Sequence, residues 1–131
     1  MLLDTSGLLC LLHRDKPQHP EASRLFTAAP YCLTHNYVLS ELVALAHVRG
    51  VPRRPTLDFL RDLRGVPRVE VVWVDESLHE RALDLLERRL DKSYSLCDAV
   101  SFLLMRERSI SEALTTDRHF AQEGFTRLLQ P

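Results

Sequence analysis

Two aspartates of the sequence, Asp4 and Asp117, follow short apolar segments. Asp4 comes directly after Leu2-Leu3, and Asp117 lies two residues beyond the segment 113–115. An aspartate in such a place often caps the helix that follows it. In a parallel sheet, however, the carboxyl ends of the strands are also the usual position of a functional site. Both aspartates are therefore candidate active-site residues as well as candidate caps.

Two further acids, Glu41 and Asp98, are predicted to lie on helices. The neighbours of Glu41 at helical spacing are apolar: Tyr37, Val38, Ala44, Leu45 and Val48. A carboxylate on such a stripe is unfavourable unless it is paired, neutralised or placed at the edge of the stripe. Asp98 follows Ser95 by three residues, which is a capping-box pattern. Because Asp98 shares a helix side with Phe102 and Met105, we expect it to point inward.

Together these four acids predict a site for a divalent cation. Carboxylates that lie close together repel one another and tend to take up protons, and a cation removes that repulsion. Hard oxygen ligands favour Mg²⁺ or Mn²⁺ over Zn²⁺. A cation held in this way can activate water and stabilise the charge on a phosphodiester during hydrolysis. Four hydroxyls near the two strand ends could bind a metal-bound water or a phosphate oxygen, or act as ordinary helix caps: Thr5, Ser6, Thr115 and Thr116.

Strands and helices are predicted to alternate along the chain. Residues 69–74 form the clearest strand, rich in valine, and further strands are predicted at residues 2–4, 31–34, 113–115 and 125–129. Helices are predicted at residues 6–13, 19–29, 36–49, 55–64, 76–90 and 95–108 and after Asp117, with Asn36 as a cap. This order predicts an α/β fold with a mostly parallel sheet covered by helices on both faces, in one domain over residues 1–131.

Four segments spread over nearly the whole chain form a recognisable set of motifs. They are Leu3-Asp4-Thr5-Ser6, Ser40-Glu41-Leu42, residues 94–102 (Tyr-Ser-Leu-Cys-Asp-Ala-Val-Ser-Phe) and residues 114–120 (Leu-Thr-Thr-Asp-Arg-His-Phe), with Gly124-Phe125 beyond. In this order and spacing they resemble the PIN-domain family, and within it the VapC-like toxin ribonucleases of type II toxin–antitoxin systems. The third and fourth segments are the more specific ones.

The resemblance implies a three-layer α/β/α sandwich and a Mg²⁺- or Mn²⁺-dependent endoribonuclease. By position, Asp4, Glu41, Asp98 and Asp117 would be the acidic quartet that binds the metal, and Thr115 the associated polar residue. The resemblance also implies a homodimer and a cognate antitoxin protein, whose arginine would reach the acidic pocket. The apolar faces of the helices at residues 19–29 and 55–64 are candidate partner surfaces.

The chain departs from the family pattern at two positions. Cys97 stands where many relatives have Thr, and His119 stands where some relatives have a further acid. The second change leaves fewer carboxylates near Asp117 for a second metal ion. We expect His119 either to contact phosphate or to be an ordinary surface or half-buried side chain.

The composition limits the compartment and the mode of RNA binding. There is no signal-peptide pattern and no apolar stretch near the ~20 residues of a membrane span, so we expect a cytoplasmic protein. Three cysteines without zinc spacing predict buried free thiols. The net charge of −1 argues against RNA binding by a basic surface alone. A groove could still be lined by Arg14, Arg49, Arg53, Arg54, Arg106 and Arg118.

Other functions fit parts of the pattern. A haloacid-type phosphatase needs a second Asp where Ser6 stands, and a receiver domain needs a Lys near a late strand, which is absent. Two further alternatives are a PIN-fold module that binds RNA or protein without cleavage, and a housekeeping RNA-processing nuclease. The four intact acids favour cleavage, and the small size without an appended RNA-binding domain favours a toxin.

Overall fold

Five parallel strands form the centre of the structure, a computed structural model that describes residues 1–131. The strands are β1 (Leu2–Leu3), β2 (Cys32–His35), β3 (Val69–Val72), β4 (Glu112–Leu114) and β5 (Thr126–Arg127). Their order across the sheet is β3-β2-β1-β4-β5, and every neighbouring pair is parallel. The carboxyl end of β1 therefore lies at the middle of one sheet edge, between those of β2 and β4.

Seven helices cover the two faces of the sheet. They are α1 (Thr5–Leu12), α2 (His19–Ala28), α3 (Asn36–Val48), α4 (Arg53–Arg64), α5 (Glu76–Glu87), α6 (Leu96–Glu107) and α7 (Arg118–Gln122). Side chains of α1 to α4 form one core with one sheet face, and side chains of α5 to α7 form a second core with the other. The predicted three-layer fold is confirmed. No helix is both long and apolar enough to cross a membrane.

Adjacent residues of the strands point into opposite cores, because side chains alternate across a strand. Leu3 and Leu114 belong to the core under α1 to α4, whereas Leu2 and Ala113 belong to the core under α5 to α7. All four residues are fully buried. A sheet buried on both faces selects apolar residues at successive positions, and this is why the strands read as short apolar runs in the sequence.

The predicted elements all occur in the predicted order, with shifted ends. For example, β3 ends at Val72 and α5 ends at Glu87. The predicted cap at Asn36 is wrong, because this residue is the first of α3 and makes no capping hydrogen bond. Its side-chain Oδ1 instead accepts a hydrogen bond from the backbone N–H of Val74 at 2.6 Å. Asn36 thereby fixes the start of α3 to the chain that leaves β3.

Gly7 allows α1 to lie directly against β4. A Cβ atom added at Gly7 would be 1.9 Å from the carbonyl oxygen of Leu114. No side chain fits that space unless the helix or the strand moves. Asp4 immediately precedes α1 and Thr115 immediately follows β4, so this close approach also fixes the spacing of two predicted site residues.

Gly7→Ala is expected to destabilise the fold by about 2–3 kcal/mol, because it forces a side chain against backbone atoms that cannot move freely. Gly65→Ala is the matched control, since its nearest foreign atom, the Asp62 carbonyl oxygen, lies at 3.4 Å. The control should change stability by less than about 0.5 kcal/mol. Urea denaturation measures both changes, and equal stabilities of the two variants would contradict the close approach.

Candidate metal centre and active site

A pocket opens at the carboxyl edge of the central strands, and its wall is acidic and hydroxyl-rich. All four predicted acids line it, and Leu45 is its only apolar residue. The lining residues are Asp4, Thr5, Ser6, Glu41, Leu45, Ser93, Ser95, Asp98, Asp117 and His119. The fifth predicted site residue, Thr115, is fully buried and in contact with Asp4. The fold therefore brings together predicted acids that are as far apart in the sequence as Asp4 and Asp117.

The register of β1 and β4 places Asp4 beside Thr115. Leu3 pairs with Leu114, so the next residues along the two strands are neighbours. The Thr115 hydroxyl donates a hydrogen bond to Asp4 Oδ2 at 2.7 Å and accepts one from the N–H of Asp117 at 2.9 Å. Thr115 thus holds the Asp4 carboxylate and the chain that carries Asp117 at the same time.

The Asp4 carboxyl group is buried and electrostatically unfavourable when it is charged. It makes no side-chain capping hydrogen bond to α1, so the cap interpretation is wrong for this residue. Burial raises the pKa of Asp4 to about 7, and the negative charges of Asp98 and Asp117 also raise it, although the hydrogen bond from Thr115 lowers it. A nearby positive charge would therefore strongly stabilise the ionised form of Asp4.

Ser6 connects the first turn of α1 to the chain beyond β4. Its hydroxyl oxygen accepts a hydrogen bond from the N–H of Thr116 at 3.0 Å and lies 3.0 Å from Thr115 Oγ1. Because the Thr115 hydroxyl donates to Asp4, the Ser6 hydroxyl is the donor in its contact with Thr115. These hydroxyls therefore orient the Asp4 carboxylate and do not act as simple helix caps.

Asp98 lies in the first turn of α6 and completes a capping box. Its backbone N–H donates to Ser95 Oγ at 3.0 Å, and its Oδ2 accepts from the Ser95 N–H at 3.1 Å. The residue is buried, so the prediction that it points inward is confirmed. Burial, together with the charge of Asp117, raises the pKa of Asp98, although the backbone N–H of Ser95 and the nearby His119 ring lower it. Asp98 thus caps α6 and lines the pocket.

Asp117 caps α7, and His119 turns back into the acid cluster. Asp117 Oδ1 accepts a hydrogen bond from the N–H of His119 at 2.9 Å. The ring Nδ1 of His119 lies 3.0 Å from Asp98 Oδ2 and 3.4 Å from Asp117 Oδ2. Its Nε2 lies 3.2 Å from Ser93 Oγ. The half-buried position expected for His119 is confirmed, but its contact with two of the predicted acids was not foreseen.

Glu41 reaches the pocket from a different helix face than the one predicted. The buried residues of α3 are Val38, Leu39, Leu42 and Ala46. The stripe predicted around Glu41 is therefore wrong, since Ala44 is exposed and Val48 is 78% exposed. Glu41 itself is exposed and lines the pocket beside Leu45. Its position at the pocket wall, not an unfavourable burial, makes it a candidate ligand.

No lysine or arginine neutralises these acids. The ion pairs of Asp98 and Asp117 involve only His119, and no ion pair involves Asp4 or Glu41. The donors are carboxylate and hydroxyl oxygens with one imidazole, and such a set fits a divalent cation of the Mg²⁺ or Mn²⁺ kind. One ligand atom from each of Asp98, Asp117 and His119 lies within 4.8 Å of the other two.

Cys97, which precedes Asp98 in the chain, does not change the preference of the pocket for a hard divalent cation. All three cysteines are buried and free, as predicted. Burial raises the pKa of the Cys97 thiol, and the negative charges of Glu41, Asp4 and Asp98 raise it further. Cys97 therefore stays a neutral thiol and offers no thiolate that would favour a softer metal.

Ser93 is a pocket residue that no sequence motif indicated. It lies in the segment between α5 and α6 and reaches His119 only because the fold brings that segment over α7. His119 had a weak signal, since it stands two residues after Asp117 in the motif. Its direction into the cluster depends on the ring of Tyr94, which packs against it with centroids 5.2 Å apart.

The five-stranded parallel sheet, its two helix layers and the acidic pocket at the end of the central strand together define a PIN-like α/β fold. The sequence profile of the PIN domain matches residues 1–125. The chain belongs to the PIN-domain family.

Individual relatives narrow the similarity further. The chain is 33% identical over 129 residues to the 23S rRNA-specific endonuclease VapC20 of Mycobacterium tuberculosis, in strains CDC 1551 / Oshkosh and H37Rv. The alignment covers 98% of this chain and 97% of the relative. The crystal structure of M. tuberculosis VapC20, described as a sarcin-ricin loop cleaving toxin, matches with a TM-score of 0.86 and 30% identity, over 99% of this chain and 98% of that one. The VapC-like resemblance is confirmed.

Proposed function

We propose that this protein is a Mg²⁺- or Mn²⁺-dependent endoribonuclease and the toxin of a toxin–antitoxin pair, with residues 1–131 acting as one nuclease domain. The observation that carries the proposal is a single pocket lined by four acids that no lysine or arginine neutralises. The homology to a 23S rRNA-specific endonuclease supports RNA as the substrate. The proposed metal ligands are Asp4, Glu41, Asp98 and Asp117, with Thr115 as the associated polar residue.

The reaction is hydrolysis of a phosphodiester, in which water adds to phosphorus and one P–O ester bond breaks. When bound, the cation supplies positive charge that acidifies the attacking water and stabilises the charge on the phosphoryl oxygens. The chain holds its ligands in place beforehand. Thr115 fixes Asp4, and the capping box with Ser95 fixes Asp98. Preorganised groups of this kind avoid reorganisation during the reaction.

Exposed arginines that make no ion pair support binding of the RNA backbone. Arg14 lines a second surface depression together with Gly50 and Val51. Arg54 pairs with Asp58 at 3.7 Å, but four other arginines of the predicted groove are exposed and make no ion pair: Arg14, Arg49, Arg53 and Arg118. Guanidinium groups suit contacts with phosphate, and single-stranded or looped RNA is the usual target of specific recognition.

Arg106 is the exception among the arginines predicted to line the groove. It lies in the last turn of α6, whereas the pocket residue Asp98 lies in the first turn. Its guanidinium binds Glu123 at 2.5 Å and lies over the ring of Phe125 at 5.3 Å. The groove prediction is therefore wrong for Arg106, which instead fixes the end of α7 against α6.

Two helices support the proposed homodimer and antitoxin interfaces. α2 buries only Ala22, and on α4 three apolar side chains remain partly exposed: Leu57, Phe59 and Leu60. Partly exposed apolar faces mark surfaces suited to a protein partner. An arginine of a cognate antitoxin would find carboxylates in the pocket that are not paired with any lysine or arginine of this chain. Sedimentation of the purified protein tests the dimer, and displacement of Mn²⁺ by the bound antitoxin tests the arginine contact.

The purified protein is expected to cleave 23S rRNA in the presence of Mn²⁺ or Mg²⁺ and to lose at least about 10²-fold in rate in EDTA, because the carboxylates alone cannot stabilise the phosphoryl charge. Glu41→Gln should lower the rate at least about tenfold, since it removes one ligand charge. Gel analysis of end-labelled RNA measures both effects.

Glu80→Gln is the matched control for Glu41→Gln, because Glu80 is exposed on α5 and does not line the pocket. Full activity in EDTA would exclude the metal-dependent mechanism. Cleavage that is equal in all variants would indicate a contaminating nuclease. A folded protein that binds RNA without cutting it would support the binding-module alternative.

A further inference from the structure

The two ring nitrogens of His119 have different surroundings, and those of Nδ1 resemble a metal site. Nδ1 lies 3.0 Å from Asp98 Oδ2 and 3.4 Å from Asp117 Oδ2. Adjacent ligands of one octahedral cation, each about 2.1 Å from the metal, are separated by about 3 Å. The three side chains therefore already have the spacing of ligands to one ion.

We infer that His119 binds the cation directly through Nδ1, beside Asp98 and Asp117, and makes the site prefer first-row transition metals such as Mn²⁺ to Mg²⁺. The inference rests on the metal-dependent function proposed above and specifies which cation this chain selects. Imidazole nitrogen suits transition metals, whereas Mg²⁺ selects oxygen ligands and keeps several waters. An acid at position 119 would give no such preference.

The second ring nitrogen of His119 has the partner that a metal-binding histidine requires. Nε2 lies 3.2 Å from Ser93 Oγ, which can accept a hydrogen bond from an Nε2–H group. Metal-binding histidines usually donate their second ring N–H to an oxygen, which fixes the tautomer and the ring orientation. The ring edge contact with Tyr94 further restricts the rotation of the imidazole. When the proton is on Nε2, Ser93 and Tyr94 therefore present Nδ1 with its lone pair toward the acids.

The helix cap at α7 leaves one oxygen of Asp117 available to the same ion. Oδ1 of Asp117 accepts the hydrogen bond from the His119 N–H, and Oδ2 is the atom that faces the His119 ring. Asp117 and His119 thus form one rigid unit at the start of the helix. A cation bound to one of them is within reach of the other.

A simpler role for His119 would be a hydrogen bond from Nδ1–H to Asp98 that balances its charge. An Nδ1–H group points to one oxygen at a time, whereas Nδ1 here lies close to oxygens of two different carboxylates. A cation between the three atoms satisfies both acids together. This geometry favours ligation over a purely neutralising contact.

Pulsed electron paramagnetic resonance of the Mn²⁺-loaded protein tests the ligand without a measurement of activity. The wild type is expected to show echo modulation from a directly bound ¹⁴N nucleus. The modulation should be lost in His119→Asn and kept in His47→Asn, a control at an exposed histidine of α3 that does not line the pocket. Circular dichroism establishes that each variant is folded.

Metal affinities provide the second readout. His119→Asn is expected to lower Mn²⁺ affinity at least about tenfold and Mg²⁺ affinity, measured by competition, by less than about threefold. His119→Asp replaces nitrogen by oxygen and should shift the preference toward Mg²⁺. This variant also keeps the test valid if the Asn variant does not fold.

The possible negative results separate the two proposals. Mn²⁺ binding that requires Asp98 but shows no nitrogen modulation would overturn the role of His119 and leave the proposed nuclease intact. An unchanged ratio of Mn²⁺ to Mg²⁺ affinity in both His119 variants would overturn the proposed selectivity. A folded wild type that binds neither Mn²⁺ nor Mg²⁺ would overturn both the inference and the metal-dependent function.

Discussion

Asp98→Asn is expected to lower the rate of RNA cleavage by about 10³-fold, which corresponds to about 4 kcal/mol in the activation free energy. The substitution removes a negative charge from the proposed metal site and keeps the side-chain shape. In the wild type Asp98 Oδ2 accepts the hydrogen bond from the Ser95 N–H, and the amide oxygen of Asn can take its place, so the capping box of α6 is preserved. Burial of Asp98 raises its pKa, and the fold therefore does not depend on the charge of this residue. Stability should change by less than about 1 kcal/mol.

Single-turnover cleavage of 23S rRNA in Mn²⁺ measures the rate, and urea denaturation measures the stability. Asp84→Asn is the matched control, because Asp84 is exposed on α5 and does not line the pocket. It should retain the wild-type rate. An Asp98→Asn variant that cleaves within about threefold of the wild type would show that this acid is not a metal ligand.

The fold could be predicted from the sequence because the apolar runs of the strands and the residues at the helix ends indicate the same α/β architecture. Apolar residues at successive positions of the strands indicate a sheet buried on both faces, and such a sheet is usually parallel with helices between its strands. Pro20 in the first turn of α2 and Gly50, with a φ of 77° after α3, mark helix ends as such residues commonly do. Exact element ends depend on tertiary contacts, such as the bond between Asn36 and Val74, and these are not visible in the sequence.

The candidate site was predictable only in part, for a physical reason. Asp4 and Asp117 follow strands, so the topology alone places them at one sheet edge. The face of α3 was misjudged because its buried residues pack against α1 and α4, and no local pattern distinguishes Leu42 from Leu45. The contact between Ser93 and His119 spans 26 residues and arises where the segment that precedes α6 meets α7. The sequence thus predicted the acids better than the groups that orient them.

The structure indicates a conflict between stability and the proposed function at Asp4. A buried carboxylate with no cationic partner is unfavourable for the fold but suits a metal site, because the same lack of neutralisation attracts the ion. Thr115 donates a hydrogen bond to Asp4 but supplies no opposite charge. Removing the charge of Asp4 should therefore increase the stability of the metal-free protein and abolish RNA cleavage.

Asp4→Asn is expected to stabilise the metal-free protein at pH 8 by up to about 4 kcal/mol and to abolish cleavage. The pKa of Asp4 is raised from 3.8 to about 7 in the folded state. Between pH 4 and pH 7 the folded protein therefore holds a proton that the unfolded chain has released. Stability contributed by this group is full below about pH 4, falls as the pH rises, and is lost above about pH 7. Asn cannot ionise, and its Oδ1 can still accept the hydrogen bond from Thr115.

Urea denaturation in EDTA from pH 5 to pH 8 measures this difference. The stability gained by Asp4→Asn should be small at pH 5 and should grow toward pH 8, whereas Asp84→Asn should show no such trend. Saturating Mn²⁺ should stabilise the wild type through binding to the folded state and leave Asp4→Asn almost unchanged, so that the metal reverses the order of their stabilities. A gain that does not depend on pH, or a variant that is less stable than the wild type at pH 8 in EDTA, would show that the Asp4 charge does not oppose folding. The stability that Asp4→Asn gains in EDTA measures the free-energy cost of burying the charged Asp4 carboxylate. Comparing this gain with the stability that Mn²⁺ adds to the wild type shows how much of the binding free energy of the ion offsets that cost.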